Sequence, residues 1–411
     1  MRKRYPLRLY LAGAVLARAG DEMSGPALML AGFALAGSTI EASSLLAGIT
    51  ISAAVGGPVL GTLLDRAAGP GRLLAGALVM YAAGLGTILV GLGSLPFTVT
   101  ILIAVVTGLL GPALSGGWTA QLPRLVDGDD LPRANALDSM TFSVASLAGP
   151  ALAGAVAEAL GAPAAVVVSM MLIAPALPAA WMLPARSDRA RGARTTSVTS
   201  DLAAGMRVIV GRPALARATL TSVLSCVAQG MLTACVPLLG ERALGGAGRG
   251  AVLLSCTAVS ALLANAVLAR FPRSVAPDTI IWASALVQAV ALALATSSQP
   301  IVLIVAVLMA GIGEGPQLAA LFAIRHREAP EHLCGQIFTT GASLKITGFA
   351  SGAAIAGTVV IWSLPAALAL AASVAALAAL AFPGSWWMGV HRSTGICTLP
   401  DARAHDRAAP R

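Results

Sequence analysis

The chain has 411 residues, of which 57% are hydrophobic and only 11% charged, with a net charge of +9; an ordinary soluble domain carries about 25% charged residues. This composition excludes a soluble globular protein and places the chain in a membrane. The positive balance does not point to nucleic acid, because the arginines punctuate apolar segments instead of covering one face of a polar domain.

Apolar runs recur along the chain, many near the roughly 20 residues that a helix rising about 1.5 Å per residue needs to cross about 30 Å of hydrocarbon. Cuts at Gly, Pro and charged clusters give twelve segments: 8–36, 42–64, 71–93, 97–122, 134–160, 162–184, 214–239, 248–270, 276–296, 299–323, 335–360 and 362–384. The amino-terminal MRKRYPLRLY is charged like the start of a signal peptide. The apolar stretch after it runs past Ala36 without a clear cleavage site, so it is read as a retained first span.

Segment 1 contains VLARAGDEMSGPALML, which sets Arg18, Asp21 and Glu22 about 15–20 Å along a helix, near mid-membrane. Ionised groups at that depth are costly and face a cavity or a partner. Arg18 is three residues from Asp21 and four from Glu22, so it is expected to pair with one of them and leave the other over. Between segments 2 and 3 runs GTLLDRAAGPGR, with Gly61, Asp65, Arg66 and Arg72. An acid placed there accepts from amides at a neighbouring helix's positive end or pairs with a base, bonds that a rocking motion would break.

Segment 4 carries GLLGPALSGG and ends near Gln121. Segment 5 carries AGPALAGA: Gly149 and Gly154 let backbones approach closely, and Pro150 removes an amide donor and bends the helix. The longest loop, 185–213, divides the chain. Its first part is polar and reads as mobile, while 201–212 suits a short interfacial helix with Arg207 and Arg212 toward lipid head groups.

The second half repeats the first. Gly315-Pro316 of segment 10 follows Gly111-Pro112 at an offset of 204, and Gly352 and Gly357 of segment 11 follow Gly149 and Gly154 at 203. Two landmarks with nearly one offset indicate a duplicated six-helix unit. The expected organisation is a first bundle over 1–184, the loop 185–213, a second bundle over 214–384 and a tail over 385–411. Segment 10 holds Glu314 between Gly313 and Gly315, whose glycines with Pro316 would let the helix flex, and segment 11 holds Lys345. Three acids against two bases in the membrane leave one surplus negative charge, and an acid that is at times neutral is what proton coupling requires. Gln121, Gln229, Asn265, Gln288 and Gln317 are candidates either for cargo contact or for bonds between helices. The tryptophans lie mostly near span ends and suit an interfacial belt, and walls of Ala, Leu, Met and Ser suit an apolar or amphiphilic cargo.

Of 27 Lys and Arg residues, Arg18 and Lys345 lie deep within spans and two, Arg242 and Arg249, lie around the junction of segments 7 and 8; the remaining 23 fall at the amino terminus, the even-to-odd loops with the span ends that adjoin them, or the tail. That bias puts those loops and both termini in the cytoplasm. The five cysteines follow no metal spacing and read as reduced thiols. His326 and His332 are assigned to a loop and His391 and His405 to the tail. With no paired His-Glu motif, no Ser-His arrangement within a span and no ATP-binding loop, neither an enzyme nor a fused pump is expected.

The loop carrying Gly61, Asp65, Arg66 and Arg72 resembles the first cytoplasmic loop of the major facilitator superfamily, although Ala68 and Gly71 loosen its ending. Segment 5 resembles that family's exporter signature, with Ala153 where a glycine is usual, and LPRLVDGDDLPRANALDS looks like its drug-efflux and siderophore-export branches. The resemblance implies an all-α membrane protein with twelve transmembrane helices in two pseudo-symmetric six-helix bundles, and a latch role for the Asp65 loop. Segment 4 lacks the arginine of many proton-coupled members, so no relay is carried over to it. The implied function is alternating-access export of a small hydrophobic or amphiphilic molecule across the cytoplasmic membrane by a monomer, driven by the proton gradient without a cofactor or metal. Uptake or facilitated diffusion of a metabolite is the alternative within transport, and a non-transporting receptor the alternative outside it.

Overall fold

The structure is a computed structural model and describes residues 5–36, 39–185, 198–246, 249–297 and 299–381. The predicted tail and the polar part of the loop, 186–197, lie outside the described residues. Helices run α1 Leu7–Ala36, α2 Thr39–Arg66, α3 Pro70–Ser94, α4 Phe97–Gly108, α5 Leu131–Leu160, α6 Ala162–Ile173, α7 Ala176–Trp181 and α8 Val198–Gly211. The second half continues with α9 Pro213–Leu244, α10 Gly250–Arg270, α11 Pro277–Ala295, α12 Pro300–Glu328, α13 Cys334–Val359 and α14 Leu364–Leu380. Among the described residues there is no strand, as hydrocarbon demands: a helix satisfies its own backbone groups where water cannot.

Helix boundaries follow local chemistry. Pro70, Pro213, Pro277 and Pro300 open their helices, where the missing amide costs nothing. Gly245 ends α9 at φ 77°, a left-handed conformation that favours glycine. The Ser363 hydroxyl caps α14 by accepting from the Ala366 amide at 3.3 Å. Nine helical stretches of the described residues are long and apolar enough to cross a bilayer, and helices also occupy the remaining predicted segments, Leu7–Ala36, Cys334–Val359 and the 17-residue Leu364–Leu380. The first of these is less apolar because Arg18, Asp21 and Glu22 interrupt it.

The largest apolar core is built wholly from residues between Tyr10 and Leu183, and the next from residues between Ala228 and Ala375. Large side chains such as Val90, Leu263 and Ile301 point outward, a surface that lipid tolerates and water does not. The two halves meet along α2 with α13 and along α5 with α10 and α12. Ion pairs Arg66–Asp201, Arg273–Asp129, Arg212–Glu328 and Arg327–Asp278 gather the arginine-bearing loops at one end of the molecule.

The repeat is not exact. Around Gly111-Pro112 the α4 ladder breaks after Gly108 and resumes through a π-helical turn at Ala113–Gly117, whereas α12 runs unbroken through Gly315-Pro316. In the described state two glycines of α12 serve close packing. A Cβ on Gly311 or Gly315 would overlap the Thr257 or Ala261 carbonyl, so they bring α12 against α10.

Candidate functional site

At the arginine-bearing end, α2 and α13 form a seam. Asp65, 4% exposed, accepts from the Gly335 amide at 2.9 Å and the Gln336 amide at 2.8 Å. These are first-turn amides of α13, unsatisfied within the helix and at its positive end, so a carboxylate suits them in charge as well as geometry. Toward the membrane centre Thr339 donates to the Gly57 carbonyl at 2.6 Å, Ser343 donates to the Ala53 carbonyl, and the Gly57 amide donates to Ser343 Oγ at 3.1 Å. Gly61 stands at the crossing, where a Cβ would overlap Gln336 Cα and Thr339 Oγ1. Gly61→Leu is therefore expected to wedge α2 from α13, read as faster labelling of the native, seam-buried Cys334 by a water-soluble maleimide. Labelling at the wild-type rate would show that the seam does not depend on this contact.

Helix α8 braces the seam from outside. Arg66 pairs with Asp201 at 2.8 Å, Gln336 Nε2 donates to the Leu202 carbonyl at 3.0 Å, and Gly205 lies against the Gln336 amide group. The interfacial helix predicted here thus also joins α2 to α13. Arg207 and Arg212 are both exposed, and Arg212 also donates to the Glu328 carbonyl at the end of α12. Arg72 does not reach the second half and stacks 5.5 Å over Trp181.

Above the seam lies a buried ion pair between residues 120 positions apart. Arg18, 2% exposed, meets Asp138 of α5, 0% exposed, at 2.9 Å. Its guanidinium also donates to Thr119 Oγ1 at 3.0 Å, the Ser115 carbonyl at 3.3 Å and Thr141 Oγ1, and sits 3.7 Å over the Phe142 ring. Asp138 in turn accepts from Tyr10 at 3.0 Å and Thr119 at 2.8 Å. The π-helical turn lies one turn before Thr119 and brings the Ser115 carbonyl to Arg18. This corrects the expectation that Arg18 pairs with an acid of its own helix. Asp21 instead accepts from Tyr81 of α3 at 2.7 Å, and Glu22 takes no part in either network.

Glu22 is exposed at mid-helix and lies within electrostatic range of Asp21 and, across the interface, of Glu314. Glu314 and Lys345, both half-buried, are within electrostatic range of each other. Among the described residues, neither Glu22, Glu314 nor Lys345 has a hydrogen-bond or ion-pair partner. The two halves thus bring unbonded acids and one ammonium to a common space between them. His326, assigned to a loop from the sequence, is on α12, with Nδ1 3.0 Å from Asn135 Oδ1, Nε2 3.1 Å from the Thr119 carbonyl and its ring 4.4 Å from that of Phe338. It crosses the seam between the halves.

A model of the Major Facilitator Superfamily matches residues 10–342. The chain belongs to that superfamily. An MFS-type transporter of Sinorhizobium fredii, y4rN, is 29% identical over 393 residues, covering 90% of this chain and 92% of that one. Among solved structures, the human organic anion transporter MFSD10 superposes with a TM-score of 0.77 at 14% identity, covering 93% of this chain and all of that one. A bacterial homologue of the iron transporter ferroportin, in an outward-facing state, gives 0.76 at 15% identity over 93% and 99%. The chain is thus a multi-pass membrane protein of a transporter family, and its helical architecture is the major facilitator fold.

Within that fold the glycines of α5 separate in role. A Cβ on Gly149 would stand 2.7 Å from Glu22 Cβ, so this glycine brings α5 against the charged turn of α1, with Pro150 one position on and exposed. Gly154 has nothing within 4 Å of such a Cβ and makes no close approach, contrary to the packing expected of it; Ala153 is the buried neighbour. Of the glutamines that were candidates for cargo contact or for bonds between helices, Gln121, Gln288 and Gln317 make bonds within the protein. Gln121 bonds the Gly117 carbonyl and Arg124 locally, and Gln317 links Ser225 to Gln288 inside the second bundle at 3.0 and 3.2 Å. Gln229 is half-buried on α9. Trp118, expected in an interfacial belt, is fully buried edge-on to Tyr10.

Proposed function

We propose that this protein is a secondary active transporter that exports a small amphiphilic molecule across the cytoplasmic membrane in exchange for protons, its two bundles rocking about the space between Glu22, Glu314 and Lys345. The observation that carries this reading is the placement of the seam. The hydrogen bonds that Asp65, Thr339, Ser343 and His326 make between the halves lie in the part of the bundle nearest the arginine-rich loops. Under the positive-inside rule that end is cytoplasmic, so the described state is closed to the cytoplasm and the unbonded acids face the other compartment. The apolar clusters that cross between the halves are small, Ala120 and Phe142 meeting Phe322 and Phe338, and a seam held otherwise by small residues and hydrogen bonds is the kind of interface that opens and closes. Export is supported by the Gly149-Pro150 element and by the apolar walls; the cargoes named for the structural neighbours, organic anions and iron, differ from one another and select none.

Everted membrane vesicles given an acidic lumen test the reading, with Hoechst 33342 and ethidium as starting probes within a panel of amphiphiles. Gradient-driven accumulation of a panel member is expected in vesicles carrying the protein. Glu22→Gln is expected to reduce it to the level seen without a gradient while leaving counterflow exchange intact, because a neutral amide still lines the path but carries no proton. Full gradient-driven accumulation in the variant would remove Glu22 from proton coupling, and accumulation only in right-side-out vesicles would reverse the direction to uptake.

A further inference from the structure

Arg325, close to the end of α12, is 2% exposed, and its Nε and Nη2 have no hydrogen-bond partner. Its guanidinium lies flat against Gly341 of α13, where a Cβ would overlap Nη2 and Cζ, with the Phe338 ring centroid 5.7 Å from Cζ. The contrast with other arginines is sharp. Arg18, equally buried, has Asp138 and a set of oxygen acceptors, and Arg327, two residues on, has Asp278 at 3.1 Å and Glu328 at 3.0 Å. A buried guanidinium without a counter-charge is one of the most costly arrangements a fold can hold, and a well-packed apolar side chain would be cheaper. Its persistence calls for a state in which it is satisfied.

The surroundings say by what. Cys226 on α9 is within electrostatic range of Arg325 and also of Lys345 and Glu314, which lie farther along the second half. Lys345 and Glu314 offset each other, which leaves the charge of Arg325 over. The planar fork of a guanidinium matches a carboxylate in shape and takes it through two parallel hydrogen bonds, which an ammonium does not do. We propose that Arg325 is an anion subsite of the transport path, and that the cargo carries a carboxylate or similar planar oxyanion at one end of an apolar body. In the described state Nε and Nη2 are enclosed, so the fork receives the anion when the seam opens and is stripped of it when α13 closes back, an order of events suited to capture from the seam side.

This inference rests on the transport reading above, and an equilibrium binding experiment separates the two. Purified protein in detergent is titrated with 2-naphthoate and with 2-naphthamide, which share a ring system and differ in charge. Tighter binding of 2-naphthoate is expected, and Arg325→Gln should weaken it by about 10- to 100-fold, the range of a hydrogen bond to a charged group, while leaving 2-naphthamide unchanged. Arg325→Lys, which keeps the charge and loses the fork, should fall between the two. Unliganded Arg325→Gln should melt above wild type because the uncompensated charge is gone; a lower melting temperature marks Arg325 as a structural group and overturns the proposal. Equal affinity for the two probes in wild type, or a preference that survives both substitutions, overturns it as well. If 2-naphthoate binds selectively yet no panel compound crosses vesicles under a gradient, the transport reading fails and the subsite stands; gradient-driven flux without selectivity gives the converse.

Discussion

Asp65→Asn is expected to open the seam at the arginine-bearing end without unfolding the bundles. The carboxylate takes the first-turn amides of α13 with two oxygens, and both bonds are assisted by its charge and by the positive end of that helix. Asparagine keeps one acceptor and turns an NH2 group toward an amide that also donates, so one bond becomes a repulsion and the other loses its charge. A hydrogen bond to a charged group contributes about 1.5–3 kcal/mol. Losing about 2–3 kcal/mol from the closed state alone shifts the closed-to-open ratio by about 30- to 150-fold, because the open state never had these bonds. The chain carries its own reporter: Cys334, 9% exposed, lies at the start of α13 with Sγ 3.7 Å from the Ala120 carbonyl. With the other cysteines replaced by serine, maleimide labelling of Cys334 should accelerate by that factor in Asp65→Asn. Arg66→Ala, which removes a partly exposed pair with Asp201, should change it little, since such pairs contribute about 0–1 kcal/mol. Equal labelling rates in wild type and Asp65→Asn would show that the amide bonds do not hold the seam.

Asp65 was readable in the sequence because its role depends on the end of its own helix and on one local motif. Arg18 was misread because periodicity sees only neighbours on the same helix, and Asp21 and Glu22 at three and four residues were the available partners. Asp138 already lay inside the predicted segment 134–160, so an acid at membrane depth was visible there; the polar RANALDS run around it reads as a helix start and hid it. The cut of segment 10 at residue 323 had the same effect on Arg325 and His326. A run of RHRE looks like a loop, yet α12 continues to Glu328 because the end of the bundle is itself a packed protein interface and not lipid. The glutamines could not be placed, because helices that are apolar nearly all round give no face by which to fix their rotation. Gly111-Pro112 and Gly315-Pro316 read alike, and only packing distinguishes the broken ladder at one from the continuous helix at the other.

The largest loss of stability is expected from Asp138→Asn, and the two partners of this ion pair should not be equivalent. Arg18 and Asp138 are both buried, so removing one charge strands the other, at a cost of about 3–5 kcal/mol. Asp138→Asn leaves a guanidinium among Thr119, Thr141 and the Ser115 carbonyl, neutral acceptors that cannot balance it. Arg18→Met leaves a carboxylate that still receives hydrogen bonds from Tyr10 and Thr119, so it should be the milder change. The double variant Arg18→Met, Asp138→Leu removes both charges and should recover most of the loss, whereas independent effects would add. Thermal unfolding of the four proteins in one detergent measures this, and a double variant as unstable as the sum of the singles would show that the pair is not coupled. The pair also fixes α1 against α5, with Arg18 one turn along α1 from Glu22 and Gly149 making its close approach to Glu22 about three turns along α5 from Asp138. A variant that restores stability without the charges should therefore keep Glu22 in place and retain proton-driven flux, while Asp138→Asn should lose both together.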